Sequence, residues 1–409
     1  MTDAENTGVP FFRPSLDTAE EKAVLSVLRS NWLTTGKEAL AFEKEFSNFI
    51  TLPAAEEKRT AEGLETSPIL SIAVNSNTSG LTLALDACGI KEGTAVITTP
   101  YTFVSTAATA QKLGAEVCFA DIEKDSYSIS PENIEAILKK DRQHKIRAIL
   151  PVHVGGNVCN MEAICFLGKK YGVKIIEDAA HSFPAPTNLG YAGTIGDAGV
   201  FSFYATKTIT TGEGGMVCTR DPEIAKRMVS MRMHGMDRTT WDRYTSPKAS
   251  WEYDIIDAGY KYNLPDILAA IGRVQLKKAQ ELYRKRKNIV AIYNEAFAKF
   301  DFVELPPTSV GNAWHLYMIR IIPQKLKINR DSFAKKLQQK GIGISVHFIP
   351  LFHFTYWKNT YPEFRSENFP NAEHKYQTSI SLPLWPGMSE NDVLRVIQAV
   401  KETGEQNHA

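Results

Sequence analysis

Lys207 stands in Phe201-Ser202-Phe203-Tyr204-Ala205-Thr206-Lys207, a run of apolar and small residues that continues into Thr211-Gly212-Glu213-Gly214-Gly215. A lysine so surrounded loses part of its hydration, which favours the neutral amine and suits it to attack an aldehyde as a Schiff-base former. Alone beside a glycine turn, a lysine is usually an ordinary surface residue, so its companions decide the matter. Asn75-Ser76-Asn77-Thr78-Ser79-Gly80 is a small polar run opening a helix, and it serves either as a plain N-cap or as a set of free N–H groups and hydroxyls for a phosphate. Thr99-Pro100-Tyr101-Thr102-Phe103 offers an aromatic ring, Phe103, able to stack on a flat heterocycle if it is not simply core. Ile175-Ile176-Glu177-Asp178-Ala179-Ala180-His181 sets an acid just past a buried strand and an imidazole three residues on. Asp178 could hold a proton on a pyridine nitrogen and so make the ring an electron sink, while His181 could bond a ring oxygen. Otherwise the two are a helix cap and a satisfied histidine. Ser202, five residues before Lys207, could join Ser76 and Thr78 around the phosphate. The glycine-rich piece is no Walker motif, since no Gly-Lys-Ser/Thr follows it.

These groups fall at the ends of short apolar runs that the pattern predicts as strands: 69–74, 95–98, 116–120, 148–152, 174–176, 199–203 and 215–219. Helical patterns at 79–88, 105–113, 131–139 and 161–171 separate several of them, which predicts a mostly parallel sheet covered on both faces. Ligands collect at the carboxyl ends of strands in such sheets. From about Pro265 the pattern changes to a long amphipathic stretch over 267–300, a helix near 331–340, a strand at 344–348 and a final helix at 392–401. That predicts a smaller α+β unit, giving domains over 1–264 and 265–409. Residues 52–68 read as a Glu-rich surface loop insertion.

With 47 basic against 46 acidic residues, the 409-residue chain has no global field to draw nucleic acid or an anionic membrane. The basic cluster Arg284-Lys285-Arg286-Lys287 lies in a helical pattern and reads as a solvated face. Five cysteines without a CxxC pair read as reduced thiols of a cytoplasmic protein. His153, Cys159 and Cys165 lack the second ligand pair a zinc site needs, so no metal is expected. The N-terminus has no basic and apolar leader pattern, and no apolar run approaches membrane-spanning length.

The spacing Asn77-Thr78, Phe103, Asp178-x-x-His181 and Ser202-x4-Lys207 resembles that of the pyridoxal-phosphate enzymes of the DegT/DnrJ/EryC1/StrS group, the nucleotide-sugar aminotransferases. The resemblance covers nearly the whole chain, from Phe12-Arg13-Pro14 and Trp32-Leu33-Thr34-Thr35-Gly36 through Pro151-Val152-His153, Gly196-Asp197-Ala198 and Gly259-Tyr260-Lys261-Tyr262-Asn263. It ends with Val346-His347-Phe348-Ile349-Pro350 and Ser381-Leu382-Pro383-Leu384. It implies the α/β fold type I of PLP-dependent transferases, aspartate aminotransferase-like, with pyridoxal 5'-phosphate (PLP, or PMP in its amino form) carried as a Schiff base on Lys207. Asp178 would pair with the pyridinium nitrogen, Phe103 would stack on the ring and His181 would contact the ring oxygen. Asn77, Thr78 and Ser202 would hold the phosphate, with Asn263 arriving from the neighbouring subunit of a homodimer. His347, Arg13 and Thr35 would contact nucleotide or sugar. The family usually has glycine where Asn77 stands, which leaves its backbone contact expected and its local conformation open.

The implied reaction moves an amino group from an amino acid, L-glutamate by resemblance, to C4 of a UDP-linked 4-keto-6-deoxyhexose or pentose for bacterial surface glycans. Alternatives are a 3-keto or dTDP- or GDP-linked substrate, a sugar dehydratase, and a non-catalytic regulator on the same scaffold. Related 3-dehydratases replace the lysine with histidine, so Lys207 speaks against the second alternative. A Rossmann oxidoreductase is disfavoured because no G-x-G-x-x-G follows an early strand.

Overall fold

The computed structural model describes residues 8–61, 66–237, 252–307, 309 and 311–409. Seven strands form one sheet: β1 (Leu70–Val74), β2 (Ala95–Thr98), β3 (Glu116–Phe119), β4 (Ile146–Ile149), β5 (Lys174–Asp178), β8 (Ala198–Ser202) and β9 (Gly215–Thr219), with the short hairpin β6 (Pro186–Thr187) and β7 (Gly190–Tyr191) set apart. Their order is β1-β9-β8-β5-β4-β2-β3. Only β9 of these seven runs opposite to its neighbours, pairing antiparallel with both β1 and β8. Their near-continuous apolar sequences reflect burial on both faces: β2, β8 and β9 have every residue buried.

The helix Asn77–Ala87 lies on this sheet because Gly80 has no side chain to keep it away. A Cβ there would come within 2.5 Å of Val200 and 2.9 Å of Val217. Gly215, opening β9, is pressed against the same helix start, where its Cβ would stand 2.9 Å from the Asn77 nitrogen. The two glycines bring the first helical N–H groups to the ends of β8 and β9.

A 32-residue helix, Asp266–Phe297, passes between two cores. Leu276, Ala279 and Leu282 pack with Phe42, Phe46 and Phe203, whereas Ile289, Tyr293 and Phe297 pack with Val9, Tyr317, Phe333 and Val400. The second core carries an antiparallel sheet of β10 (Val303–Glu304), β11 (Tyr317–Ile321) and β12 (Ser379–Leu382). Val9 joins it through a bridge to Ile342. Asp266 opens the long helix and also caps another, accepting N–H groups of Gly36 (2.7 Å), Glu38 (3.2 Å) and Ala39 (3.0 Å) at the start of Lys37–Ile50.

Several expected elements differ. Residues 53–61 of the expected loop form a helix, Pro53–Ala61, held by Arg220, which grips Glu56 with both terminal nitrogens and donates to Ser67 O at 2.6 Å. Part of the expected loop, 62–65, lies outside the described residues. The run 148–152 forms its strand at Ile146–Ile149 instead, and Asp178 is the last residue of β5 rather than the residue after it. No strand forms over 344–348. Ser345 exchanges both backbone hydrogen bonds with Ser381 (3.1 and 2.8 Å), and the chain then leaves the sheet edge and carries His347 and Phe348 into the main cavity.

Candidate functional site

A cavity of about 560 Å³ opens at the carboxyl ends of β1, β2, β5 and β8. Ser76, Asn77, Thr78, Phe103, Asp178, His181, Ser202, Lys207 and His347 all line it, so residues from position 76 to position 347 converge on one space. Arg13, Thr35 and Asn263 do not line it. The Arg13 guanidinium lies 5.6 Å from the Trp385 ring centre, a cation–π contact. Thr35 donates to Leu264 O at 2.7 Å and accepts from the Asn263 amide at 2.6 Å, beside a second cavity of about 500 Å³ that includes Arg232, Met233 and Ile256.

Lys207 is half-buried, and loss of hydration lowers its amine to about 8, against a smaller upward pull from Asp178. A neutral fraction of roughly a tenth is therefore present at pH 7, far more than an ordinary lysine holds. Asp178 is buried, and that burial raises its carboxyl above the usual range. The Thr106 hydroxyl (2.7 Å to Oδ2), the Ala180 N–H (3.2 Å to Oδ1), the Lys207 charge and the Asn77 amide (3.3 Å to Oδ1) oppose the rise. An acid and an amine thus face one space in complementary states.

His181 has its protonation pattern set by the backbone. Its Nδ1 accepts the Gly155 N–H at 3.1 Å, so the ring proton sits on Nε2 and that edge is a donor. Burial, then the charge of Lys207, push its pKa well down and keep it neutral. Phe348 stacks on it with ring centres 5.6 Å apart, and His315 lies 4.5 Å away on another side. Burial followed by Lys207 also lowers His347, to about 4. Phe103 is 60% exposed at the mouth, an aromatic face left free for a flat partner.

At the helix start, Ser76 is the N-cap and accepts the Ser79 N–H at 3.1 Å. The N–H groups of Asn77 and Thr78 are the first two of the helix and have no intrahelical acceptor, and Thr78 is exposed beside buried Ser202. An anion fits there. The Asn77 side chain points the other way, donating to Val200 O at 2.9 Å as well as to Asp178.

Sequence reasoning passed over Thr106, Thr102 and His315. Thr102 stands just before Phe103 in the turn after β2 and Thr106 in the first turn of the helix Val104–Lys112, where both look ordinary; only the contact of Thr106 with Asp178 on β5 gives them a role. His315 stands before an apolar strand, and its buried Nδ1 has no hydrogen-bond partner among the described residues. His153 and Cys159 adjoin one another without forming a metal site: His153 Nδ1 accepts the Cys159 N–H and Nε2 meets Glu177 at 2.9 Å. Among the described residues no group of three or more His, Cys, Asp or Glu is arranged to hold a metal ion.

A lysine and an acid brought to one cavity at the strand ends of a mostly parallel sheet define an α/β protein that holds the groups Schiff-base chemistry needs. Residues 14–401 match the model of the DegT/DnrJ/EryC1/StrS aminotransferase family, and the chain belongs to that family. It is 42% identical over 401 residues to the uncharacterized protein MJ1066 of Methanocaldococcus jannaschii, covering 98% of each chain. It is 37% identical over 405 residues to the spore coat polysaccharide biosynthesis protein SpsC of Bacillus subtilis, again covering 98% of each. The PLP-form structure of the putative sugar aminotransferase Spr1654 from Streptococcus pneumoniae superposes with a TM-score of 0.84 at 27% identity, covering 98% of this chain and 99% of that one. The fold is therefore that of the sugar aminotransferases. No helix among the described residues is long and apolar enough to cross a membrane.

Proposed function

We propose that the protein is a PLP-dependent aminotransferase that moves an amino group from an amino acid, L-glutamate, to the keto group of a nucleotide-linked sugar. The substrate we favour is a UDP-linked 4-keto-6-deoxyhexose or pentose aminated at C4, on the way to a glycan; the link of SpsC to spore coat polysaccharide supports the glycan setting. The carrying observation is the shared cavity of the Lys207 amine and the buried Asp178 carboxylate.

The residues present fit the cofactor. Lys207 would bind its aldehyde carbon, Asp178 its ring nitrogen and the Nε2–H of His181 its ring oxygen. Phe103 would cover one face, and the N–H groups of Asn77 and Thr78 with the hydroxyls of Thr78 and Ser202 would take the phosphate. When bound, the cofactor supplies an electron sink for the carbon that gains or loses its amino group. The chain supplies the proton transfers. Lys207, whose desolvation lowers its amine to about 8 and so supplies free base near neutral pH, would accept the proton leaving the donor α-carbon. In the opposite half-reaction it delivers a proton to the sugar carbon that receives the amine. Asp178 stays anionic to hold the ring nitrogen protonated, and the neutral His181 donates without drawing the proton away.

The protein acts as a homodimer in this reading, with Asn263 completing the partner's site. Asn263 lies outside its own chain's cavity, beside a second apolar one to which exposed Leu40 and Ile256 contribute. The test is a screen of UDP-, dTDP- and GDP-linked keto-sugars with glutamate, followed by NMR of the product to locate the new amine. Borohydride treatment with peptide mapping accompanies it. No adduct on Lys207 and no amination of any keto-sugar would defeat the proposal.

A further inference from the structure

Asp178 is 4% exposed, so its hydrogen bonds come from the protein around it. Oδ1 receives the Ala180 N–H (3.2 Å) and the Asn77 amide (3.3 Å), which fill both of its acceptor positions. Among the described residues Oδ2 receives only the Thr106 hydroxyl, at 2.7 Å, and retains one position. Thr106 has a single hydroxyl proton and spends it on Asp178. Its 2.8 Å contact with Thr102 therefore runs from Thr102 to Thr106, and Thr102 orients the donor. The Asn77 amide is oriented with equal definition: both its neighbours, Asp178 Oδ1 and Val200 O, are acceptors, so only the NH₂ end can face them.

We propose that Asn77 and Thr106, the latter aligned by Thr102, are positioning residues that keep Asp178 anionic and leave its one open acceptor position, on Oδ2, for the ring nitrogen of the cofactor. The proposal rests on the reading of the site given above. Its logic is that a buried carboxyl drifts toward the neutral acid, which is a poor partner for a protonated ring. Each donor to the carboxylate counters that drift. If a donor is lost, Asp178 becomes the stronger base and draws the proton off the ring nitrogen, which weakens the electron sink. Asn77 accordingly works through its side chain on the acid, whatever its backbone does for the phosphate.

Two measurements separate this from a packing role. In the cofactor-free protein with carbon-13 in its aspartate carboxyls, the Asp178 signal is titrated in wild type, Asn77→Ala, Thr106→Val and Thr106→Ser. Asn77→Ala and Thr106→Val should each raise the proton affinity of Asp178 about tenfold or more, the worth of one hydrogen bond to a charged group. Thr106→Ser, which keeps the hydroxyl, should stay at the wild-type value. In protein loaded with nitrogen-15 PLP, the ring nitrogen should read as protonated in wild type and Thr106→Ser and shift toward the neutral pyridine in the other two. Unchanged Asp178 titration in both Asn77→Ala and Thr106→Val, or equal displacement in Thr106→Val and Thr106→Ser, overturns the proposal. Failure of wild type to take up PLP on Lys207 would instead defeat the reading of the site, while the carboxyl titration would still decide whether the donors hold Asp178 anionic.

Discussion

Replacing Lys207 with methionine should stabilise the cofactor-free protein while ending turnover. Lowering the amine from the ordinary 10.5 to about 8 means that folding desolvates a charge at a cost of about 3 kcal/mol, a net figure that already includes the attraction of Asp178. Methionine has a similar reach and no charge to desolvate. Between about 8 and 10.5 the unfolded chain holds the lysine proton and the folded chain does not, so wild type gains stability as pH rises through that window. The advantage of Lys207→Met is therefore full below about 8 and vanishes above about 10.5. With an unfolding entropy of about 2.1 cal/mol/K per residue over 409 residues, 3 kcal/mol corresponds to a rise of about 3 to 4 °C in the thermal midpoint. The assay is calorimetry of both proteins without cofactor, at one protein concentration, at pH 7 and pH 10.5. A midpoint that fails to rise at pH 7, or that rises equally at both pH values, refutes the account of Lys207 as a strained, desolvated amine.

Other expectations concern the cofactor, the protons and the partner chain. Thr78→Val and Ser202→Ala should each weaken PLP binding about tenfold or more, the scale of a hydrogen bond to a phosphate, as read by fluorescence titration of the cofactor-free protein. Unchanged affinity in both would remove the phosphate from the start of helix Asn77–Ala87. Burial first and Lys207 second push His181 and His347 down, so both are neutral at pH 6 to 7 and kcat/KM should show no histidine break there. A break near 6.5 that disappears in His181→Gln would contradict this. Mixing inactive Lys207→Ala and Asn263→Ala chains should restore activity, since random pairing gives one intact site in half the dimers, or about a quarter of all sites. No recovery after verified subunit exchange would place Asn263 outside the partner's site.

The sheet was legible because its strands are buried on both faces and therefore apolar without alternation: 95–98 and 215–219 were bounded as observed. The segment 344–348 misled because Ile344, Val346, Phe348 and their neighbours have strand composition, yet within it only Ser345 pairs its backbone with β12. Phe348 is spent on the cavity wall and Ile344 on the second core. Residues 53–61 misled in the opposite sense, since a polar helix has no core-facing stripe, and the anchor that holds it, Arg220, lies far along the chain. That Lys207 and Asp178 lie at the strand ends of one cavity was legible from the pattern of strands. Thr106 was not, because a hydroxyl three residues beyond Phe103 acquires meaning only when β5 is laid beside its helix.

Glu177 and Asp178 show why that placement matters. They are adjacent acids on one buried strand, equivalent by composition, and alternation of the strand sends them to opposite faces. Glu177 is fully buried and spends both oxygens on structure: Oε1 takes the Ile195 and Gly196 N–H groups, and Oε2 takes the Gly193 N–H and His153. With the proton of His153 fixed on Nε2 by the Cys159 contact, the ring donates to Glu177, and the loop after β4 is tied to β5. That same loop supplies Pro151 O to the Asp178 N–H at 2.9 Å and the Gly155 N–H to His181 at 3.1 Å. Glu177 is thus saturated while Asp178 keeps one position open, and the saturated acid fixes the backbone from which the open one faces the cavity it shares with Lys207. Breaking the latch with His153→Phe should misplace Asp178 and His181 together, so that PLP affinity and turnover fall in step even though neither latch residue lines the cavity. A His153→Phe protein that folds and binds PLP as wild type does would show that the latch holds the loop without setting the site.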